Sequence, residues 1–153
     1  MSSRKKKEGE IIELENGWKI VFLNCFMNES GLFLKKILKL RQLADQNNAN
    51  NNLTIKQFSN LVIIHDDLDI PLGEFKIQFG RGGAGHKGVQ SIIDSLKTKN
   101  FWRIRLGISN PKVEKKVTPD DFVLMPFTKE EEGKLEEIFE KIITACRKMI
   151  TTS

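Results

Sequence analysis

Residues 74–109, EFKIQFGRGGAGHKGVQSIIDSLKTKNFWRIRLGIS, change their apolar period twice in one stretch, and no other feature limits the fold as much. Phe75, Ile77 and Phe79 alternate with Glu74, Lys76 and Gln78, the period of two that marks a strand with one buried face. Five glycines among the nine residues of GRGGAGHKG then break the strand. Val89, Ile92, Ile93 and Leu96 follow at i, i+3, i+4, i+7, which draws one apolar stripe along a helix from Lys87 to Thr98. Alternation returns with Trp102, Ile104, Leu106 and Ile108 against Arg103 and Arg105. Two strands with an amphipathic helix between them bury their apolar faces by laying the helix on the sheet.

The rest of the chain repeats this alternation. WKIVFLN, 18–24, and LVIIHD, 61–66, have the β-branched and aromatic content of short buried strands, both expected at the centre of the sheet. One helix is expected from Ser30 to Arg41. Another runs from Lys129 to Ile150, opened by Thr128 and Glu131 at capping-box spacing. Its stripe of Leu135, Ile138, Phe139, Ile142, Ile143, Cys146, Met149 and Ile150 is expected to face the core. The Pro/Gly turn of DIPLGEFKI allows one strand pair to run antiparallel. The expected class is therefore α/β, with a single domain over residues 1–153. Residues 1–10 are expected to be disordered. ADQNNANNNLT, 44–54, contains five asparagines and is expected to be a solvated loop.

Composition narrows the function classes. The chain is 39% hydrophobic over 153 residues, enough for one ordinary core. No run approaches a membrane span, and MSSRKKKEGE lacks the apolar segment of a secretory signal; a soluble, intracellular protein is expected. Cys25 and Cys146 show no metal or disulfide spacing and are expected to be buried free thiols. A net charge of +5 suits a polyanionic partner without requiring one.

Ligands in open α/β sheets gather beyond the carboxyl ends of strands, which selects three stretches: Phe26-Met27-Asn28, Asp66-Asp67, and the glycine loop with His86 and Lys87. The aspartate pair has three readings: capping a turn, orienting a histidine, or binding a metal. The metal reading is the weakest, because only Asp69 lies nearby as a further carboxylate. GRGGAGHKG lacks the spacing of a Walker loop and is a poor dinucleotide fingerprint. It does open a helix, whose first N–H groups attract an anion, and Lys87 adds charge at the same end. A phosphate or an RNA backbone fits there. The two histidines are His65 and His86. His65 precedes Asp66 in an extended segment, which sends the two side chains to opposite faces, and it reads as a packed strand residue. For His86, a site role and a structural role stand about even.

Taken together, FMNESG at 26–31, VIIHDDLDIPLGEFKI at 62–77, GGAGHKGVQSII at 82–93, and FWRIRLGISNP with DFVLMPFTKEE resemble the bacterial-type peptidyl-tRNA hydrolase family. The motifs occur in the family's order over about residues 18–150. The resemblance implies a monomeric α/β/α sandwich around a mixed, mostly parallel sheet. It also implies hydrolysis of the ester between a peptide and the terminal ribose of tRNA, with no metal or other cofactor. The partner is then peptidyl-tRNA, with no membrane involved, and the setting is the cytoplasm or, alternatively, a mitochondrion or plastid. By the same resemblance Asn28 contacts the tRNA end and orients the reacting group, with Phe26 and Met27 shaping the adjacent wall. Asp66 is the carboxylate that hydrogen-bonds the catalytic histidine, and His86 lines the substrate channel. Lys87 stands where the family usually has a substrate-contacting asparagine.

The family opens with a strand, an Asn-Pro-Gly loop and a Thr-Arg-His-Asn segment carrying the general-base histidine. MSSRKKKEGEIIELENG resembles none of these. The sheet is therefore expected to lack its first strand and helix, and Asp66 to lack the histidine it would orient. Two functions follow as expectations: a peptidyl-tRNA hydrolase, or a catalytically silent relative that binds tRNA or intron RNA. Release of the peptide as against binding alone distinguishes them.

Overall fold

The structure, a computed structural model, describes residues 3–6, 9–13, 19–44, 61–114 and 116–151. It is organised as two compact units, Met1–Leu53 with Arg81–Lys99, and Thr54–Gly80 with Asn100–Ser153. Each is taken by itself.

The first unit contains an antiparallel sheet of β1 (Ser3–Lys6), β2 (Gly9–Glu13) and β3 (Lys19–Leu23), in that order. Ser3 pairs with Ile12 and Lys6 with Gly9, then Gly9 with Leu23 and Glu13 with Lys19. The leading residues, expected to be disordered, are thus largely extended. Ladder pairing gives their N–H and C=O groups partners that the charge-rich sequence did not advertise. β3, expected to be a buried central strand, pairs with β2 alone among the described strands. Its residues alternate between half-buried Val21 and Leu23 and exposed Ile20 and Phe22. A 3-10 turn, Met27–Glu29, leads into α1 (Ser30–Ala44), and α1 packs against α2 (Lys87–Leu96). Leu34, Val89 and Ile92 are buried in this unit. The stripe predicted for α2 is the face it buries. The asparagine-rich loop, apart from Ala44, lies outside the described residues.

The second unit is built on a mixed sheet in the order β4–β6–β5. β4 (Val62–Pro71) runs parallel to β6 (Trp102–Ser109), and β5 (Phe75–Phe79) antiparallel to it. The α/β class and the antiparallel pair expected from DIPLGEFKI are both present. The centre of this sheet is β6, whereas the sequence reading had put 61–66 there. Arg103, Ile104, Gly107 and Ile108 are all buried, so β6 is covered on both faces although its sequence alternates like a half-exposed strand. The core joins Ile104 to Leu135, Ile138 and Ile142 of α5 (Lys129–Thr151), with Val62, Phe75, Leu106 and Cys146 packed against them. Burying each of these aliphatic side chains contributes about 1.5–3 kcal/mol. The buried row of α5 is narrower than expected, because Phe139 and Ile143 are exposed. The side chains of Met149 and Ile150 lie outside the described residues.

The capping box of α5 forms as predicted. Thr128 Oγ1 accepts from the Glu131 N–H at 3.3 Å, and a Glu131 carboxylate oxygen accepts from the Thr128 N–H at 2.8 Å. Two short helices, α3 (Pro111–Glu114) and α4 (Pro119–Phe122), precede it. Cys25 and Cys146 are free and half-buried, and burial pushes both thiols up from their ordinary value. Among the described residues no helix is long and apolar enough to cross a membrane.

Candidate functional site

Two of the three sequence-selected stretches, Phe26-Met27-Asn28 and His86-Lys87 of the glycine loop, belong to the first unit. After β3 the chain turns at Phe26, which is extended and highly exposed, and Glu29 N–H closes the turn on Phe26 C=O at 2.8 Å. This carries Met27 and Asn28 to the start of α1. The glycine loop arrives from the other side. His86 N–H donates to Gly83 C=O at 2.9 Å. Ala84 and Gly85 between them have φ of 48° and 85°, the pattern of a type I′ turn. That reversal sets His86 as the N-cap of α2.

His86 Nδ1 accepts from the Val89 N–H at 3.1 Å. An Nδ1 that accepts has no proton, so in the neutral ring the proton sits on Nε2. The ring therefore presents a donor, which suits contact with an acceptor oxygen and not removal of a proton from water. The structural reading of His86 is met by this cap.

Gly88, two residues further, is buried with little room for a side chain. A Cβ there would lie 2.9 Å from Met27 Cγ and 3.1 Å from His86 Cε1. Met27 thus packs over the first turn of α2, beside the imidazole. Asn28 and Lys87 line one open depression of about 360 Å³, together with Gly85, Gln90, Ser91 and Asp94. The last three were missed in the sequence. Their signal was present: 87, 90, 91 and 94 are at helical spacing on the face opposite the apolar stripe of 89, 92, 93 and 96. Gln90 Nε2 donates to Asp94 Oδ1 at 2.9 Å, so the cavity carries a cation at its Lys87 end and a carboxylate at its Asp94 end.

Asp66 lies in the second unit, half-buried on β4 beside Leu106 of β6. His65 Nδ1 donates to the Asp66 C=O at 2.7 Å, in keeping with a packed strand histidine. Its neighbour Asp67 points to the other face and is engaged there. Arg105 Nε donates to Asp67 Oδ2 at 2.5 Å, and the Asp69 N–H donates to Asp67 Oδ1 at 2.9 Å. Burial opposes ionisation of Asp67, but the Arg105 bond, the Asp69 N–H and the nearby positive charge outweigh it and hold the carboxyl below its ordinary value. Arg105 is raised in turn, chiefly by the same bond. The aspartate pair divides by face, with Asp67 bound into the sheet. Among the described residues no three His, Cys, Asp or Glu side chains converge as a metal site requires.

The family model described as "Peptidyl-tRNA hydrolase" matches residues 1–153. Among similar curated proteins, the peptidyl-tRNA hydrolase of Thermodesulfovibrio yellowstonii is 43% identical over 119 residues, 77% of this chain and 56% of that protein. The peptidyl-tRNA hydrolase of Mycobacterium tuberculosis is 34% identical over 126 residues, 82% of this chain and 58% of that protein. The chain thus spans a little more than half the length of the curated relatives it matches. A crystal structure of peptidyl-tRNA hydrolase from Acinetobacter baumannii superposes with a TM-score of 0.72 at 20% identity, covering 99% of this chain and 71% of that one. A peptidyl-tRNA hydrolase crystallised with n-propanol gives 0.71 at 20% identity, covering 98% and 71%. At that identity the likeness is one of fold.

Proposed function

The chain belongs to the peptidyl-tRNA hydrolase family, and we propose that it acts on peptidyl-tRNA, taking the acceptor end of the tRNA against the cavity of the first unit. The observation that carries this reading is the meeting of Asn28 and Lys87 on one cavity, with His86 capping the helix that bears Lys87. Lys87 and the first N–H groups of α2 attract a phosphate of the acceptor end. The Nε2–H of His86 and the amide of Asn28 donate to sugar, phosphate or ester oxygens. An amide aimed at the oxygen that gains charge when water attacks the ester stabilises that charge, an effect of about a hundred- to a thousandfold for one such donor.

By the family resemblance Asp66 is the carboxylate that orients a general-base histidine through a ring N–H; here His65 bonds the Asp66 C=O and His86 caps α2, so the hydrolytic step is the part of the proposal that peptide release decides. Phe26 and Met27 form the apolar wall beside Asn28. In this reading the protein works as a monomer wherever translation runs, in the cytoplasm or in an organelle that makes protein.

Release of a labelled peptide from peptidyl-tRNA, measured beside binding of the same RNA, tests the proposal. Release together with binding supports it. Binding with no release would instead make this chain an RNA-binding relative without the hydrolytic step, and neither release nor binding would end both readings.

A further inference from the structure

Ser91 joins the turn bearing Asn28 to the helix bearing Lys87 through its side chain. Its Oγ–H donates to the Asn28 backbone C=O at 2.7 Å, and the same oxygen accepts from the Gly31 N–H at 3.1 Å. The Gly31 N–H is one of the first donors of α1, which have no partner inside that helix. Ser91 on α2 therefore supplies, from 60 residues away in sequence, the acceptor that an N-cap ordinarily provides locally.

The backbones approach closely here as well. A Cβ on Gly31 would fall 1.9 Å from the Ser91 carbonyl oxygen and 2.5 Å from Ser95 Oγ, so the approach that brings the hydroxyl within reach requires glycine at 31. A second contact lies one turn earlier on the same face of α2, where Met27 packs over Gly88. The turn Met27–Glu29 is thus fastened at Gly88 by packing and at Ser91 by the bond to Asn28, with a second Ser91 bond holding the start of α1 at Gly31. The residue held there is Asn28, which lines the cavity.

We propose that Ser91 is a positioning residue, which fixes the direction of the Asn28 amide by holding that residue's carbonyl and the adjacent helix start. The proposal rests on the reading of the cavity as the tRNA-end site. Ser91 need not touch the substrate; its effect runs through Asn28.

The test compares Ser91→Ala, Ser91→Thr, Asn28→Ala and the double variant Ser91→Ala/Asn28→Ala in the full chain. The probes are a labelled peptidyl-tRNA and NMR of the Asn28 side-chain amide. If Ser91 acts through Asn28, Ser91→Ala lowers kcat/KM by about tenfold, as loss of an orienting hydrogen bond does. The same change adds nothing when Asn28 is already alanine, since coupled residues are non-additive. Ser91→Thr, which keeps the hydroxyl, retains most of the activity. An equal loss from Ser91→Ala in both backgrounds would overturn the proposal, because a merely structural serine acts that way. The NMR arm stands without activity: increased mobility of the Asn28 amide in Ser91→Ala supports the role, and unchanged mobility refutes it. A wild-type chain that neither cleaves nor binds peptidyl-tRNA defeats the functional reading, while the amide measurement still decides for or against Ser91.

Discussion

Arg105 on β6 donates through Nε to Oδ2 of Asp67 on β4 at 2.5 Å, with the side chains 15% and 11% exposed. The bond ties two parallel strands of one sheet across their polar face. Removing one member of a buried ion pair costs about 3–5 kcal/mol, and the residual exposure of this pair lowers that to about 2–3. Asp67→Ala should lose this much in urea denaturation, with the midpoint falling and the slope unchanged.

The same pair sets a pH dependence. The Asp67 carboxyl lies below its ordinary value of 3.8, so the folded state binds its proton less readily than the unfolded chain does. Its stabilising contribution is complete above the unfolded value, and it is lost as pH falls through the folded one. Denaturation midpoints taken downward from neutral pH should therefore fall below about pH 4. The loss should be shallower in Asp67→Asn, and an equally steep acid limb in that variant would place the titration elsewhere.

Gly31 has no space for a methyl group, with the Ser91 carbonyl oxygen 1.9 Å from the ideal Cβ position. Backbone atoms cannot yield as a side chain does. Gly31→Ala should separate α1 from α2 at a cost at the high end of the 1–3 kcal/mol typical of overpacking, read as a lower Tm and faster hydrogen exchange in α2.

His86 caps α2 and, in the proposed function, contacts RNA; the two roles come apart by substitution. His86→Ala loses the cap, about 1 kcal/mol, along with the Nε2 donor. His86→Asn restores an accepting side chain at the N-cap and should recover the thermal stability without recovering RNA affinity. Recovery of both would show that the ring contributes only the cap.

Lys87→Ala should weaken RNA binding and flatten its salt dependence. One phosphate contact contributes about 0.7 to the slope of log K against log salt for a single strand and about 0.9 for a duplex. Titrations at several salt concentrations measure the slope directly, and an unchanged value would mean that Lys87 does not meet phosphate.

Local pattern carried much of the fold. The stripe of α2, the capping box of α5 and the strand runs at 75–79 and 102–109 lie where period and cap chemistry put them, while β4, read as 61–66, runs on to Pro71. Order within a sheet depends on which strands find each other, and neither period nor propensity encodes that. So β6, whose arginines made it look half-exposed, proves to be central: Arg103 is 2% exposed, with burial pushing its pKa down. Of the residues whose type announces chemistry, Asn28 and Lys87 line one cavity, whereas Asp66 lies in the other unit. The site was not legible at Ser91 and Gly31, ordinary residues whose importance lies in a meeting between segments 60 positions apart.

That meeting also bears on the cost of recognition. Because the turn at Met27–Glu29 and the first turns of α2 are held together at Gly88 and Ser91, Asn28 and Lys87 keep their separation before any ligand arrives. A ligand that reaches both finds two groups whose backbone freedom was given up during folding, so little ordering remains to be charged against binding. Loosening the join should therefore make association less favourable in entropy while leaving each contact chemically intact, a signature that calorimetry separates from loss of the contact itself.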